Sequence, residues 1–413
     1  MKTLEDWLLH IERQHPQAIA LGLDRVLQVS NTMNIRLPCP VITVGGTNGK
    51  GSTCALLESI LRAAGHRTGL YTSPHLVRYN ERVRLAGAEA DDALLCSGFE
   101  AVETARGDTP LTYFEFGTLA ALWIFSREKI ETAILEVGLG GRLDAVNVLD
   151  ADCAVLTSVG IDHVSYLGPD RESIGREKAG IFRAGRPAVI ADPDPPRSVL
   201  AAPGEKLFLG KDFGYTAEKT HWTYWGPKGR RASLAHPALR GAIQLRNACA
   251  ALCALDALAL PVAMQEVRRG LAEVALPGRF QVLPGRPQVI LDVAHNVEAA
   301  KVLAGNLLAS GYGGETIAVC GMLRDKDLAG VLRVLEPRVT RWHIASLPGP
   351  RGASADELEQ ALGRSGEKHE SPSKAFASAL EHAEEGDKIV VFGSFLTVGE
   401  VMAWLKNNKT SKR

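Results

Sequence analysis

The chain has 413 residues, of which 46% are hydrophobic and 23% are charged, a mixture typical of globular proteins. Because ordinary domains contain about 100–200 residues, this length predicts two domains. Lys plus Arg and Asp plus Glu number 47 each, so the formal net charge is zero. This balance gives no electrostatic basis for nucleic acid or an anionic membrane as a partner.

The spacing of the cysteines and the length of the apolar runs indicate the cellular compartment of the protein. The seven cysteines are scattered and form no CxxC pair, which is typical of a reducing compartment and argues against a disulfide framework or a zinc site. Residues 1–10 lack the pattern of a signal peptide, and the longest apolar runs, such as residues 248–255, are too short to span a membrane. The sequence therefore predicts a cytoplasmic protein.

Short β-type runs alternate with helical periods in the first part of the chain, the pattern of an α/β sheet. The predicted elements are a strand over 41–44, a helix over 52–64, a strand over 69–72, a helix over 116–127, and strands over 132–137 and 154–157. Residues 203–237 are irregular and rich in turn residues, and they predict a small β excursion. A strong helical period returns over residues 244–260.

A stretch rich in Pro and Gly, over residues 276–280 and 284–287, marks the candidate domain boundary. Beyond it, strands are predicted over 289–293, 317–320, 342–345 and 389–392, with helices between them. The predicted fold class is therefore α/β with two domains. A P-loop ATPase-type doubly wound sheet domain covers residues 1–280, and a smaller Rossmann-like α/β domain covers residues 281–413.

Residues 45–53 read GGTNGKGST and lie between a predicted strand and a predicted helix. Small residues let backbone N–H groups turn toward phosphate oxygens, and the helix N-terminus adds a favourable field. Lys50 is expected to reach the terminal phosphates, with Ser52 or Thr53 near a metal. The strict G-x-x-x-x-G-K-[ST] pattern fails, because position 44 is Val and Gly51 separates Lys50 from the hydroxyls. The alternative is a glycine-rich turn that binds nothing, which the flanking strand and helix disfavour.

The loop sequence TNGKGST resembles the variant loop of amide ligases that activate a carboxylate with ATP. Further motifs follow it in one order: YTSPHL at 71–76 with ERV at 81–83, LTYFE at 111–115, LEVGLGGRLD at 135–144, IDH at 161–163, EKAG at 177–180, PGR at 277–279 and DVAHN at 292–296. In this order and spacing, from about residue 7 to residue 401, the chain resembles the bifunctional dihydrofolate synthase/folylpolyglutamate synthase family of bacteria, within the Mur-ligase-like superfamily.

The resemblance implies a metal site at Ser73, Glu136 and His163, and ATP with one or two Mg²⁺ ions as cofactors. Glu136 closes an apolar strand, where a lone carboxylate is costly unless it is paired or bound to a cation. The alternative for Glu136 is a salt bridge with Arg142. His163 would be an unusual ligand, because magnesium prefers oxygen donors, and the alternative is an ordinary loop histidine.

Lys178 matches a family lysine that is carbamylated by CO2, which would convert this cation into an oxygen-rich anion able to support magnesium. The alternative is a solvated lysine beside Glu177. Lys50, His163 and Lys178 form the expected catalytic set. The residues that the resemblance assigns to ATP are Thr47, Asn48, Gly49, Lys50, Gly51, Ser52, Asn247, Arg279 and Asp292.

The resemblance also implies substrate contacts. For dihydropteroate the matching residues are Ala20, Leu21, Gly22, Leu23, Thr112, Tyr113, Phe114, Glu115, Leu143, Asp144 and Ala145. Ala20 departs from the family, whose members often carry Asp there, so only its backbone can contribute. His295 and Ser394, with Lys326 and Asp327 as further neighbours, are the expected glutamate or nucleotide contacts.

The function that the resemblance implies is ATP-dependent ligation of L-glutamate to dihydropteroate, forming dihydrofolate, and to reduced folates, forming polyglutamates, through an acyl phosphate. The expected form is a monomer without nucleic acid or membrane partners. A monofunctional folylpolyglutamate synthase is the first alternative. A muramyl-peptide-type ligase is disfavoured because only about forty residues precede the loop, below the roughly fifty of a small domain. A non-catalytic nucleotide switch would not need His163, Lys178 or a glutamate-binding domain.

Overall fold

The computed structural model describes residues 2–17, 19–311 and 313–410. The chain divides into two compact units. Unit 1 comprises Met1–His75, Tyr79–Ala238 and Gln244–Ala275, and unit 2 comprises Leu76–Arg78, Leu239–Ile243 and Leu276–Arg413. Residues 276–280, which the sequence prediction assigned to the first domain, therefore belong to unit 2.

Unit 1 alternates strands and helices in chain order. Its helices are α1 (Leu4–Glu12), α2 (Asp24–Met33), α3 (Lys50–Ala63), α4 (Asp92–Arg106), α5 (Tyr113–Arg127), α6 (Val164–Leu167), α7 (Arg171–Ala179), α8 (Arg197–Ala201), α9 (Ile243–Ala257) and α10 (Met264–Glu273). Its strands are β1 (Val41–Gly45), β2 (Thr68–Tyr71), β3 (Val83–Leu85), β4 (Ala88–Glu89), β5 (Thr132–Glu136), β6 (Cys153–Leu156), β7 (Pro187–Ile190), β8 (Glu205–Phe208), β9 (Gly214–Ala217), β10 (His221–Gly226) and β11 (Gly229–Ala235).

The main sheet of unit 1 has eight strands in the order β4-β3-β2-β5-β1-β6-β7-β8. Strands β2, β5, β1, β6, β7 and β8 run parallel, and β3 and β4 form an antiparallel edge. The four central strands β2, β5, β1 and β6 are buried along their whole length, as expected for a parallel sheet covered on both faces. The predicted strands are thus confirmed, and their carboxyl ends meet at one edge of the sheet.

The predicted β excursion is confirmed as a three-stranded antiparallel sheet, β11-β10-β9. Trp222 and Tyr224 are fully buried on β10. The Tyr224 hydroxyl donates to Asp256 on α9 at 2.8 Å, and Arg231 ion-pairs with the same carboxylate. Since each buried polar group finds a partner, this small sheet packs firmly on α9.

Unit 2 contains a six-stranded sheet in the order β12-β13-β17-β14-β15-β16, parallel except for β12. Hydrophobic clusters cover both faces of this sheet, so the predicted Rossmann-like architecture is confirmed. The strands are β12 (Gln281–Leu283), β13 (Gln288–Leu291), β14 (Thr316–Cys320), β15 (Arg341–Ala345), β16 (Glu367–His369) and β17 (Lys388–Phe392), and the helices are α11 (Val297–Ala309), α12 (Leu328–Leu335), α13 (Ala355–Leu362), α14 (Pro372–His382) and α15 (Phe395–Thr410).

Two helices of unit 1 begin earlier than their apolar periods predict. Helix α3 begins at Lys50 directly after the glycine loop. Helix α5 begins at Tyr113 because Thr112 and Glu115 form a capping box, in which each side chain bonds the backbone N–H of the other. Among the residues that the structure describes, no helix has the length and apolar content needed to cross a membrane.

Candidate active site

The glycine loop follows β1 at the carboxyl edge of the main sheet. Gly46 has φ 144° and Gly49 has φ 91°, conformations that side chains rarely adopt. A Cβ on Gly46 would collide with the Thr157 hydroxyl, and one on Gly49 would lie 2.7 Å from Asn247 Oδ1. The loop therefore needs glycine both for its backbone and for its close approach to neighbouring elements.

The loop is fastened to the residues that follow β6. The Thr47 N–H donates to the Ser158 carbonyl at 2.8 Å, and the Asn48 N–H donates to Ser158 Oγ at 3.0 Å. The Gly160 N–H donates to Thr47 Oγ1 at 2.9 Å. Since these two loop amides are engaged within the protein, the N–H groups of residues 49–52, at the start of α3, are the ones turned to an anion.

Lys50 and Thr53 differ in what their side chains do. Lys50 Nζ donates to the carbonyls of Gly46 and Thr47 at 3.1 and 3.4 Å, so its charge lies over its own loop. Thr53 is buried and its hydroxyl donates to the Gly49 carbonyl at 3.0 Å. The Thr53 hydroxyl therefore bonds the helix backbone four residues earlier, and Ser52 is the loop hydroxyl that we expect near a phosphate.

The predicted metal residues follow three strands of the main sheet. Ser73 comes after β2, Glu136 ends β5, and His163 follows β6. Glu136 is buried and its Oε2 accepts the Ser73 N–H at 3.3 Å. His163 is the N-cap of α6, with φ 53°, and its Nε2 lies 3.9 Å from Asp162 Oδ1. The sheet thus brings Ser73 into contact with Glu136 and puts His163 at the same edge.

The alternatives for Glu136 and Lys178 are both wrong. Arg142 ion-pairs with Glu177 at 2.9 Å instead of with Glu136. Lys178 is buried on α7, with 5% of its surface exposed, so it is not a solvated lysine. Burial, reinforced by the nearby charge of Lys50, lowers the pKa of Lys178 to about 7. The lowered pKa favours the neutral amine, which is the nucleophilic form of Nζ.

Arg25, which the sequence did not predict, joins two of the three predicted pterin segments, and Gly22 joins the third. Arg25 on α2 donates to both carboxylate oxygens of Glu115, at 2.8 and 3.3 Å, and to the Ala20 carbonyl at 2.8 Å. The Gly22 N–H donates to the Leu143 carbonyl at 3.4 Å. Residues 20–23, 112–115 and 143–145 therefore form one connected wall in unit 1.

Asp144 and Phe114 shape this wall through different contacts. Both carboxylate oxygens of Asp144 accept backbone N–H groups, those of Leu139 and Val146, at 2.8 and 3.0 Å. Burial raises the pKa of Asp144 to about 6 even though these hydrogen bonds favour the charged form. The Phe114 ring lies against Gly138 and is 5.9 Å from the Tyr71 ring. Asp144 is thus mainly a loop-forming residue, whereas Phe114 offers an aromatic face.

Asn247, the remaining ATP residue predicted in unit 1, lies beside the glycine loop. Its side chain is buried on α9, and its Nδ2 donates to Gln244 Oε1 at 2.9 Å. That hydrogen bond orients the amide so that Oδ1 faces Gly49. The structure therefore brings Asn247 to the phosphate loop although 197 positions separate it from Lys50 in the sequence.

In unit 2, Asp292, His295 and Ser394 lie on loops after β13 and β17, which are neighbouring parallel strands, and Arg279 lies just before β12. Asp292 accepts the N–H groups of Phe280 and Ala294, both at 2.8 Å. The Arg279 guanidinium lies 5.0 Å from the centre of the Phe395 ring. The loops are joined by a bond from the Gly393 N–H to the Ala294 carbonyl at 3.0 Å. Backbone contacts also hold the remaining predicted residues: His295 Nδ1 lies 2.8 Å from the Val293 carbonyl, and Ser394 Oγ accepts the Leu396 N–H.

The two further neighbours, Lys326 and Asp327, begin α12. Asp327 is the N-cap of this helix and accepts the Gly330 N–H at 2.9 Å. That contact is the capping bond of the helix, and a role for Lys326 and Asp327 beside glutamate or the nucleotide stays a prediction.

The arrangement in unit 1 supports one kind of chemistry. Free helix-terminal amides and Lys50 can hold the phosphates of a nucleotide, and the buried carboxylate of Glu136 lies at the same sheet edge. The donor set of Ser73, Glu136 and His163, a hydroxyl, a carboxylate and an imidazole, fits a divalent cation beside those phosphates. Residues 20–23, 112–115 and 143–145 form their connected wall in the same unit.

Comparison with known proteins agrees with this geometry. Residues 44–255 match the Mur ligase middle domain, and residues 278–395 match the Mur ligase glutamate ligase domain. The dihydrofolate synthase/folylpolyglutamate synthase of Escherichia coli K12 is 47% identical over 404 residues, covering 97% of this chain and 94% of that protein.

Two solved structures are similar over nearly the full length. E. coli FolC in complex with DHPP and ADP has a TM-score of 0.95 and 45% identity, covering 99% of each chain. A bifunctional folylpolyglutamate synthase/dihydrofolate synthase with Mn, AMPPNP and L-glutamate bound has a TM-score of 0.92 and 45% identity, covering 98% of each chain. Since the likeness spans both units, the chain belongs to the bifunctional dihydrofolate synthase/folylpolyglutamate synthase family, the ATP-dependent ligases that join glutamate to dihydropteroate and to folates.

Proposed function

We propose that the phosphate chain of ATP binds to the N–H groups of residues 49–52 and to the Lys50 ammonium group. The observation that carries this assignment is the engagement of the Thr47 and Asn48 amides by Ser158, which leaves the amides at the start of α3 for an anion. Asn247 supports the loop through its approach to Gly49. The function that follows is transfer of the terminal phosphoryl group to a substrate carboxylate.

The divalent ion in this proposal is Mg²⁺, held by Ser73 Oγ, the Glu136 carboxylate and a His163 ring nitrogen. The contact between the Ser73 N–H and Glu136 and the burial of that carboxylate support this set. A bound divalent ion supplies positive charge that offsets the negative charge of the transferred phosphoryl group. Lys50 supplies the same kind of charge from the loop, and the surrounding protein excludes water.

The reaction proceeds in two steps. A carboxylate oxygen of the folate substrate attacks the γ-phosphorus, the bond between that phosphorus and the β,γ-bridging oxygen breaks, and ADP leaves with an acyl phosphate formed. The glutamate amine then attacks the acyl carbon, the C–O bond to phosphate breaks, and the amine proton passes to solvent. The amide and inorganic phosphate are the products. Activation is required because an amine does not displace a free carboxylate oxygen at a useful rate.

Isotope transfer tests this route. With dihydropteroate labelled with ¹⁸O in its carboxylate, each turnover should deliver one ¹⁸O atom to inorganic phosphate, measured by mass spectrometry. Unlabelled phosphate would contradict the acyl phosphate. In parallel, ADP release with glutamate should be sustained by dihydropteroate and, separately, by tetrahydrofolate. Turnover with tetrahydrofolate alone would restrict the chain to polyglutamate synthesis.

Lys178 is proposed to carry a carbamate. Its neutral Nζ attacks the carbon of CO2, the N–C bond forms as one C–O π bond breaks, and the proton lost from nitrogen goes to solvent. Burial and a pKa of about 7 support this step, because the neutral amine is the reactive form. With ¹³C-bicarbonate, wild type should give a carbamate carbon resonance that Lys178→Arg lacks and that the exposed control Lys219→Arg retains. Equal spectra for wild type and Lys178→Arg would exclude the modification.

Dihydropteroate is proposed to bind to the wall formed by residues 20–23, 112–115 and 143–145, with Arg25 as a positioning residue. Arg25→Gln removes the bidentate bond to Glu115 and the bond to the Ala20 carbonyl. We expect the KM for dihydropteroate to rise about 10-fold, the effect of roughly one lost charge-assisted hydrogen bond, with the KM for ATP unchanged. The matched control is Arg36→Gln, which changes an exposed arginine just after the end of α2. Equal changes in both KM values would assign Arg25 a general structural role.

Glutamate is proposed to contact His295 and Ser394, which lie on adjoining loops of unit 2. Arg279 and Asp292 of the same unit are proposed nucleotide contacts. His295→Gln should raise the KM for glutamate and leave that for dihydropteroate unchanged, and the reverse pattern would contradict this assignment. We also propose a cytoplasmic location, which the seven free cysteines support. We propose that the enzyme is a monomer, and multi-angle light scattering should give the mass of one chain.

A further inference from the structure

Two strands at the far edge of the unit 2 sheet bring three metal-binding side chains together. In the parallel pair β15 and β16, His343 lies opposite Glu367, and Ala345 lies opposite His369. Because strand side chains alternate between faces, Glu367 and His369 share one face of β16, and His343 projects to that same face. None of these residues belongs to the site proposed for ATP, pterin or glutamate.

The donor atoms converge closely. His343 Nδ1 lies 3.1 Å from His369 Nε2 and 3.5 Å from Glu367 Oε2, and His369 Nε2 lies 3.3 Å from Glu367 Oε1. The two rings are stacked, with centroids 5.3 Å apart. Among the residues that the structure describes, these three form the group of His, Cys, Asp or Glu side chains whose donors lie close enough to share a metal ion.

The distances between the donor atoms are close to those around one class of metal ion. Zinc binds nitrogen and oxygen at about 2.0–2.2 Å in a tetrahedron, which separates its ligand atoms by about 3.3–3.6 Å. The two ring nitrogens are 3.1 Å apart, and they lie 3.5 and 3.3 Å from the two different carboxylate oxygens of Glu367, which comes close to those separations. We propose that His343, Glu367 and His369 bind a divalent transition-metal ion of the zinc class, with water in the remaining position.

The burial and the hydrogen bonding of these three side chains favour the binding of a cation. His343 is 3% exposed and His369 is 11% exposed at their side chains, while Glu367 is half exposed and gives an entry path. The Ser378 hydroxyl on α14 donates to Glu367 Oε1 at 2.7 Å and orients the carboxylate.

The basic side chains near the three donors already have partners of their own. Arg341 on β15 ion-pairs with Glu315 at 2.6 Å and with Asp387 at 3.4 Å, so its charge is offset by those carboxylates. His382 on α14 is held by the Ser378 carbonyl through Nδ1 at 2.9 Å. A bound ion would join the short edge strand β16 to β15, so its role is structural and independent of glutamate ligation.

The competing explanation is a hydrogen bond between the two imidazoles that needs no ion. The test uses the full-length protein stripped of metal by chelation and titrated with Co²⁺ in the absence of nucleotide. Wild type should develop the intense visible absorption of four-coordinate cobalt, and one equivalent of Zn²⁺ should abolish it. Glu367→Gln, at a half-exposed position where packing is little affected, and His369→Gln should each weaken binding at least about 10-fold, since losing even an outer-shell partner costs about that much.

Two controls separate this site from others. His221→Gln, a histidine of unit 1 paired with Glu218, should leave the cobalt spectrum unchanged, and so should His163→Ala, which alters the proposed catalytic metal set. Glutamate ligation by Glu367→Gln should equal that of wild type. The proposal is overturned if wild type gives no four-coordinate spectrum, or if Glu367→Gln and His369→Gln bind cobalt as tightly as wild type.

Discussion

The carboxyl edges of the two sheets differ in how their polar groups are satisfied. At the edge of the eight-stranded sheet, Glu136 and Lys178 are buried ionisable groups, and the pKa of Lys178 is lowered to about 7. At the edge of the six-stranded sheet, Asp292 accepts backbone N–H groups from its own loop and from Phe280 before β12, and His295 and Ser394 bond the backbone of their own loops.

The two α/β sheets therefore differ in what the polar groups at their carboxyl edges do. Buried charge has a free-energy cost that proteins retain where a ligand or ion is to be bound. Groups that are already hydrogen-bonded to backbone instead fix the shape of a loop. The first edge is therefore the one built for charge-driven chemistry, and the second offers a preformed surface. The predictions below test this contrast.

The largest effect is expected from Lys50→Ala at the first edge. Lys50 is the cation of the phosphate loop, and its loss removes charge that stabilises the transferred phosphoryl group. We expect kcat for ADP formation to fall about 10²- to 10³-fold, the usual effect of one electrostatic group in a transition state. The surface control Lys219→Ala should retain wild-type kcat. A loss below 10-fold for Lys50→Ala would mean that the loop contributes binding alone.

Gly49→Ala tests the geometry of that loop against a matched glycine. Gly49 and Gly65 have similar φ values, 91° and 88°, but a Cβ meets Asn247 only at Gly49 and open space at Gly65. Both substitutions should lower the free energy of unfolding by about 1–3 kcal/mol from backbone strain. Gly49→Ala should in addition raise the KM for ATP, measured by steady-state kinetics. Equal KM values for the two variants would show that the approach of Asn247 is unimportant.

Asp292→Asn tests the second edge. Both oxygens of Asp292 accept backbone N–H groups, and an asparagine can accept with only one of them. We expect chemical denaturation to show a loss of about 1–3 kcal/mol in unit 2, the cost of a buried donor left unsatisfied. The control Asp356→Asn removes only an exposed ion pair with Lys368, worth about 0–1 kcal/mol. Equal stability of the two variants would contradict a structural role for Asp292.

Lys178→Met gives an effect that depends on pH. The folded pKa is about 7 against an ordinary 10.5, so between these values the unfolded chain holds a proton that the folded one lacks. The free energy of unfolding of wild type therefore rises with pH across this window, by at most about 1.4 kcal/mol per pH unit from this group. Lys178→Met should lose that slope in buffer free of carbon dioxide, as followed by urea unfolding at several pH values. An unchanged slope would mean that Lys178 keeps its proton.

The sequence predicts the fold well where apolar runs are long. The four buried central strands of the first sheet and the four central strands of the second were all predicted. Strands β12 and β16 were missed because each has three residues, and β16, Glu367–His369, is entirely polar. Such edge strands form because a neighbouring strand offers unpaired backbone groups, a tertiary effect that no local pattern shows.

The site was predicted unevenly for a related reason. Local sequence patterns predict the glycine loop and Glu136. A predicted strand precedes the glycine run, and Glu136 is a carboxylate that ends an apolar run. Arg25 was missed because its partner Glu115 is 90 positions away. The burial of Lys178 was equally hidden, since α7 reads RESIGREKA, a mostly polar helix. Pairing and burial across long separations are properties of the folded chain, and one sequence does not display them.

We propose that the buried Glu136 carboxylate holds the divalent ion at the first edge, and a titration with Mn²⁺ in the presence of ADP tests this assignment. Free Mn²⁺ is measured by electron paramagnetic resonance during titration of wild type and Glu136→Gln. We expect an affinity at least about 10-fold weaker for Glu136→Gln, since losing even a residue that only supports a metal ligand weakens metal sites this much, together with undiminished stability because a buried charge is removed. Wild-type Mn²⁺ affinity in Glu136→Gln would contradict it.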